Sequence, residues 1–198
     1  MLELATLGLL QCEPLHGYRL KQQLELFMSS SISVNYGAIY PLLRRLEERG
    51  EIATLATHQA ETRLSRKTYC ITDQGRQRWH QKMIEHPHES WVNSRSRFFI
   101  KFFFFSNLEP AERIELLEHR LNVCQLRLES FEVEHQALTD LYQKSVGQQC
   151  LSGLRSDIEW IKEQLEKEQK EHNESDWQAE SQSAYPQRIS YDYKDSKV

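Results

Sequence analysis

The first apolar run, LELATLGLL, carries hydrophobic side chains nearly all the way round and stops before Glu13-Pro14. Proline restricts the residue before it, so this run predicts a short, buried helix. In HGYRLKQQLELFM the apolar positions thin to one stripe, Leu20, Leu24, Phe27 and Met28, at i, i+4, i+7 and i+8. That spacing predicts a helix with one buried face. A polar SSSIS linker leads into NYGAIYPLLRRLEERG, where Ile39, Leu42, Leu43 and Leu46 again fall on one face. Asn35 is placed to cap this third helix and Tyr36 to begin it. Beyond Gly50 the rhythm changes to that of strands. EIATLAT and RKTYCIT, rich in β-branched and aromatic residues, predict a hairpin around the loop HQAETRLS. Thr72 then caps a fourth helix that ends at His86-Pro87.

From Ser90 the pattern is that of longer helices. WVNSRSRFFIKFFFF predicts a heavily buried helix, and Pro110 suits the first position of the next. Ile114, Leu117, Leu121, Cys124, Leu128, Phe131, His135, Leu138 and Tyr142 alternate steps of three and four, a heptad seam. Gly147 is expected to interrupt it, after which Leu151, Leu154, Ile158, Ile161 and Leu165 resume. Such stripes bury against each other or against a second copy of the chain. His135 reads either as a ligand or pH sensor, or as a solvated or hydrogen-bonded seam residue. The stretch after residue 170 has few aliphatic residues and is expected to be largely disordered.

The third predicted helix holds a glycine and a proline. A proline in a helix interior costs about 3 kcal/mol, because it lacks a donor and crowds the carbonyl four residues back. That carbonyl belongs to Gly37, which can yield. A rotation of about 100° per residue sets Gly37, Pro41 and Arg44 opposite the apolar face, with Tyr40 at its edge. Small residues let a helix backbone approach the major groove closely, while tyrosine and arginine reach phosphates and base edges. The hairpin adds Arg63, Arg66 and Lys67, a basic wing. The fold class expected is mainly α with a small β-hairpin: a winged helix-turn-helix domain over residues 1–86, then a helical, coiled-coil-like dimerisation domain over 87–170. The competing reading makes Gly37 and Pro41 shapers of a surface helix and the cations ordinary solvated ones.

Charge supports a local interface only. The chain carries −4, but residues 1–86 hold 11 Lys and Arg against 9 Asp and Glu, whereas 87–198 hold 14 against 20. Cys12, Cys70, Cys124 and Cys150 are scattered without a C-x-x-C pair, so neither a disulfide framework nor a metal site is expected. No cofactor is expected either. No catalytic constellation or phosphate loop appears, which argues against an enzyme. The aromatic run FFIKFFFF is too short to span a bilayer, so the chain reads as cytoplasmic, without a membrane partner.

LGLLQCEPLHGYRL, YGAIYPLLRRLEERGEI and RKTYCITDQG, in that order, resemble the DNA-binding domain of the PadR family of bacterial transcriptional regulators. KFFFFSNLEPAERIELLEHRL and DIEWIKEQLEKE are similar to the helical C-terminal domain of its longer members, so the resemblance covers roughly residues 1 to 168. It implies a homodimer that binds double-stranded, pseudo-palindromic operator DNA, usually to repress, nucleoid-associated when bound. By this resemblance Tyr36, Gly37, Tyr40 and Arg44 would lie on the recognition helix, and Arg66 and Lys67 on the wing strand; the capping position of Asn35 and the basic Arg63 add these two to the expected interface. Ile114, Leu117, Leu121, Leu128, Phe131, Leu138, Leu154, Ile158, Ile161 and Leu165 would serve dimerisation. Family members often respond to small aromatic effectors, for which Trp91, Phe98 and Phe102 could line a pocket, but core packing is the better explanation of these residues. Glu51 departs from the family pattern, which has an apolar residue there, and implies a local change in packing. The alternative function is a coiled-coil adaptor whose winged domain binds protein.

Overall fold

The computed structural model describes residues 1–28, 36–55 and 67–183, with backbone alone at 27, 28, 36 and 174–183. The chain divides into two compact units, Met1–Leu108 and Glu109–Val198. In the first, helix α1 (Leu2–Cys12) is followed by a two-residue strand β1 (Leu15–His16) and helix α2 (Gly17–Met28). A 3-10 turn over Tyr36–Ala38 then leads into α3 (Ile39–Glu48). Strands β2 (Ile52–Leu55) and β3 (Thr68–Ile71), helix α4 (Asp73–Ile84), helix α5 (Trp91–Phe103) and a 3-10 turn over Phe105–Asn107 complete it. This is a winged helix, and the expected helix and hairpin order holds.

One strand was not legible. β2 and β3 pair antiparallel with Ile52 opposite Ile71, as the hairpin requires, but β1 adds itself to the other edge of β3, Leu15 opposite Tyr69. Two residues cannot display alternation.

α1 is buried from Leu4 to Leu10, which is why it is apolar all round. At Gly8 a β-carbon would come within 2.6 Å of the Phe104 ring, so the glycine lets that ring lie against the helix backbone. Phe104 in turn meets Trp79 of α4 edge-on, with centroids 6.3 Å apart. α3 buries Ile39, Leu42, Leu43 and Leu46, each at 3% exposure or less.

The α3 C-terminus closes with Gly50 at φ +69°, a backbone conformation that a side chain would strain. Gly50 N–H donates to the Glu47 carbonyl and Glu51 N–H to that of Leu46, satisfying the helix's last acceptors. Glu51 is itself buried, and its carboxylate accepts from Arg49 Nη2 at 2.7 Å. The same guanidinium nitrogen lies 3.2 Å from Glu3. The buried charge at this helix-to-strand junction is therefore paired where it stands. Thr72 caps α4 as expected, its Oγ1 accepting from Gly75 N–H at 3.1 Å.

α5 is less uniformly buried than its composition suggests. Phe98 and Ile100 are inside, but Val92 and Phe103 are exposed at 71% and 56%. Lys101 is buried, and its ammonium donates to the Glu85 carbonyl at 2.5 Å. Burial, with Arg97 adding to it, lowers its pKa from 10.5 to about 8. Below pH 8 the lysine is charged both folded and unfolded, so the fold bears the cost of a buried ammonium. Between about 8 and 10.5 the folded protein releases the proton while the unfolded chain keeps it, and stability rises with pH. Lys101→Met is accordingly expected to stabilise the protein by about 1–2 kcal/mol at pH 7, a gain that shrinks above pH 8. Melting curves from pH 6 to 10 check this; a pH-independent difference would show that the charge carries no such cost.

The second unit holds α6 (Pro110–Gln136) and α7 (Leu141–Ser183), packed along each other. Pro110 occupies the first turn of α6, as read from the sequence. The break, however, lies at residues 137–140 and not at Gly147. Asp140 makes it, its Oδ1 accepting from the N–H groups of Tyr142 and Gln143 at 3.0 Å each. Gly147 lies inside α7, where a β-carbon would come within 2.3 Å of His135 Nδ1. Its function is close approach of the two helices. Tyr142 consequently falls beyond the break and is 80% exposed.

Nor does helix stop at residue 170: α7 continues to Ser183. Glu, Lys, Gln and Ala extend an already nucleated helix at little cost, even without an apolar stripe. The rest of the expected disordered tail, 184–198, lies outside the described residues. Among those described, no helix is long and apolar enough to cross a membrane.

Candidate nucleic-acid interface

The geometry of α3 follows from its two faces. With the apolar four inward, Gly37, Tyr40, Pro41 and Arg44 are all exposed. The α-helical segment begins at Ile39, not at Tyr36, so Pro41 is its third residue. The first four N–H groups of a helix have no partner within it. Proline here therefore removes no hydrogen bond, and the conformational yielding expected of Gly37 is not needed to accommodate it. Gly37 instead lies in the 3-10 turn that leads into the helix.

Arg44 projects into solvent and its Nε donates to Glu48 Oε1 at 2.9 Å. Tyr40 is 57% exposed. Lys67, directly before β3, lies 3.7 Å from Glu47 Oε2. Glu47 also accepts from the Thr54 hydroxyl of β2, which ties the end of α3 to the sheet. The backbone of Tyr36 opens the 3-10 turn, while Asn35, Arg63 and Arg66 lie outside the described residues.

Beside Tyr40 is a concavity of about 510 Å3, lined by His16, Gly17, Tyr18, Tyr40, Lys67 and Tyr69. A β-carbon at Gly17 would lie 3.0 Å from the Tyr40 ring, so glycine brings the start of α2 against α3. His16 Nδ1 and Thr68 Oγ1 are hydrogen-bonded at 2.8 Å across the β1–β3 pair. Burial, with Glu47 adding to it, pushes the Tyr69 phenol above its ordinary pKa. His16, Tyr18 and Tyr69 were not among the sequence candidates. The one signal for the first two is HGY directly before an amphipathic run.

The expected effector residues are not gathered round a described cavity. Phe98 is buried with its ring 6.1 Å from that of Phe102, which in turn lies 4.8 Å from Phe105; Trp91 is half-buried. A second cavity, of about 490 Å3, is lined instead by Leu9, Cys12, Leu26, Phe103, Phe104 and their neighbours.

Of the dimerisation candidates, Leu117, Leu154, Ile158 and Ile161 are buried, whereas Ile114, Leu121, Leu128, Phe131, Leu138 and Leu165 are half-buried. Leu126 and Val133 of α6 and Val146 of α7 are exposed at 58%, 70% and 64%. Among the described residues no three His, Cys, Asp or Glu side chains converge as a metal site would require.

Residues 6–81 match the transcriptional regulator PadR-like family, and residues 94–168 match the virulence activator alpha C-terminal family. The negative transcriptional regulator PadR of Bacillus subtilis (strain 168) is 31% identical over 139 residues, covering 70% of this chain and 75% of that protein. Among solved structures, Bacillus subtilis PadR in complex with operator DNA is 26% identical with a TM-score of 0.42, covering 84% of this chain and 98% of that one. The same protein in complex with p-coumaric acid is 23% identical with a TM-score of 0.39, covering 85% and 95%.

Proposed function

This chain belongs to the PadR-like family of transcriptional regulators, and from that premise we propose that it acts in the cytoplasm as a homodimeric repressor on a pseudo-palindromic operator. The observation that carries the DNA reading is the division of α3. Four aliphatic side chains are fully inside, and the opposite face presents Gly37, Tyr40, Pro41 and Arg44, with Glu48 paired to Arg44 at its C-terminal end. A low face with a tyrosine and an arginine suits a groove, whereas an adaptor that docks on protein would be expected to show an apolar patch. In this reading residues 1–86 bind DNA, Asn35, Tyr36, Arg63, Arg66 and Lys67 complete the interface, and residues 87–170 dimerise. The half-buried seam positions and exposed Leu126, Val133 and Val146 supply the surface for a second copy. A small aromatic effector then lowers operator affinity.

The test is titration of the protein with its own upstream DNA across a salt series. Three to five phosphate contacts per half of the dimer give a log–log slope of about −5 to −9. Half-sites should be protected about one helical turn, or a multiple of it, apart. A flat salt response would favour the adaptor. Repeating the titration with p-coumaric acid tests the effector, and unchanged affinity would remove that aromatic acid.

A further inference from the structure

We propose that the concavity where β1 meets α2 seats one phosphodiester of the DNA backbone in each half of the dimer, with His16, Tyr18 and Lys67 as its donors. The proposal rests on the operator reading and extends it from Lys67 of the wing to His16 and Tyr18, which lie on neither the recognition helix nor the wing. Tyr40 belongs both to the exposed face of α3 and to the wall of the concavity, so a duplex engaged by that face brings its backbone over the opening. None of the described residues that line it is a carboxylate.

Each donor is prepared for the role. His16 is held by its Nδ1 against Thr68, and that bond does not use Nε2, the ring's other nitrogen. The Tyr18 hydroxyl accepts from Gln22 Nε2 at 3.3 Å, which leaves its own proton to donate. Lys67 is 61% exposed and, among the described residues, is held by a 3.7 Å pair with Glu47. An exposed pair of that length contributes little, so Lys67 can exchange it for a phosphate. A volume of about 510 Å3 exceeds one phosphate and leaves room for the flanking sugars. Phosphate contacts set register and carry no direct sequence information. The concavity therefore serves affinity and placement, and any selection of sequence falls to the exposed face of α3.

The experiment pairs His16→Gln, Tyr18→Phe and Lys67→Gln with duplexes of the upstream DNA in which single phosphates are replaced by neutral methylphosphonates. One position per half-site is expected to weaken the wild type about tenfold and to have little further effect on the variants. Lys67→Gln should flatten the salt slope by about one unit per half-site, and Tyr18→Phe should weaken operator and unrelated duplex by the same factor. Tyr18 and Lys67 are exposed, so melting temperatures should stay at the wild-type value. Variants that feel every methylphosphonate as the wild type does would overturn the phosphate seat while leaving the operator reading standing. Losses confined to operator sequence would make the concavity a base reader and overturn it equally. A wild type that binds no duplex would remove both.

Discussion

Gly75→Ala is expected to lower the melting temperature of the winged unit by at least about 10 °C. The residue is the third of α4 and lies directly under the loop that leaves α3. A β-carbon there would come within 1.9 Å of the Glu51 carbonyl oxygen and 2.8 Å of Ile71 Cγ1. The oxygen cannot swing away as a side chain could, because it accepts Thr72 N–H at 3.1 Å. Thr72 Oγ1 in turn donates to the Gly50 carbonyl at 2.6 Å and accepts from Gly75 N–H. Relief of the clash must open this junction. Overpacking costs about 1–3 kcal/mol even where side chains can adjust, and loss of two hydrogen bonds adds about 1 kcal/mol each. Circular dichroism melts decide the matter. Gly153→Ala is the control: among the described residues no atom beyond its own stretch of helix lies within 4 Å of its β-carbon position, so inside α7 it should be neutral or stabilise by up to about 1 kcal/mol. A Gly75→Ala protein that melts with the wild type would show that the junction is not rigid.

Gly75 also marks where the sequence ceased to be legible. Periodicity located α1, α2, α3 and the hairpin because each pattern is local, and Thr72 could be read as a cap because its partner is three residues away. The Gly75 constraint comes from Glu51, 24 positions earlier, and no local pattern encodes that approach. A longer separation, 52 positions, hid the pairing of His16 with Thr68, and with it the concavity beside Tyr40. At the helix break, two signals competed. Gly147 is the commoner breaker, but Asp140 offered a carboxylate to the next helix's free N–H groups, and the glycine was needed for close packing. Lys101 was obscured by its surroundings, since a lysine among phenylalanines reads as an exposed interruption and not as a buried donor.

Arg44→Glu should reduce operator affinity about 10³-fold and leave the fold intact. The side chain is 82% exposed and its pair with Glu48 is solvated, so removing it costs a few tenths of a kcal/mol; like charges four residues apart cost about as much again. The melting temperature should therefore move by no more than about 3 °C. Binding is different. An arginine meeting a guanine edge contributes about 1–3 kcal/mol, it occurs twice in a symmetric dimer, and a carboxylate in its place repels the phosphates on either side. Salt separates the two roles available to Arg44. If it grips phosphate, Arg44→Ala narrows its deficit as salt rises, because fewer counterions are released by the variant. If it reads a base, the deficit persists at high salt and is larger for operator than for unrelated duplex. An unchanged melt together with unchanged operator affinity would take Arg44 off the interface. It would also leave Tyr40 and the neighbouring concavity as the part of this surface that meets DNA.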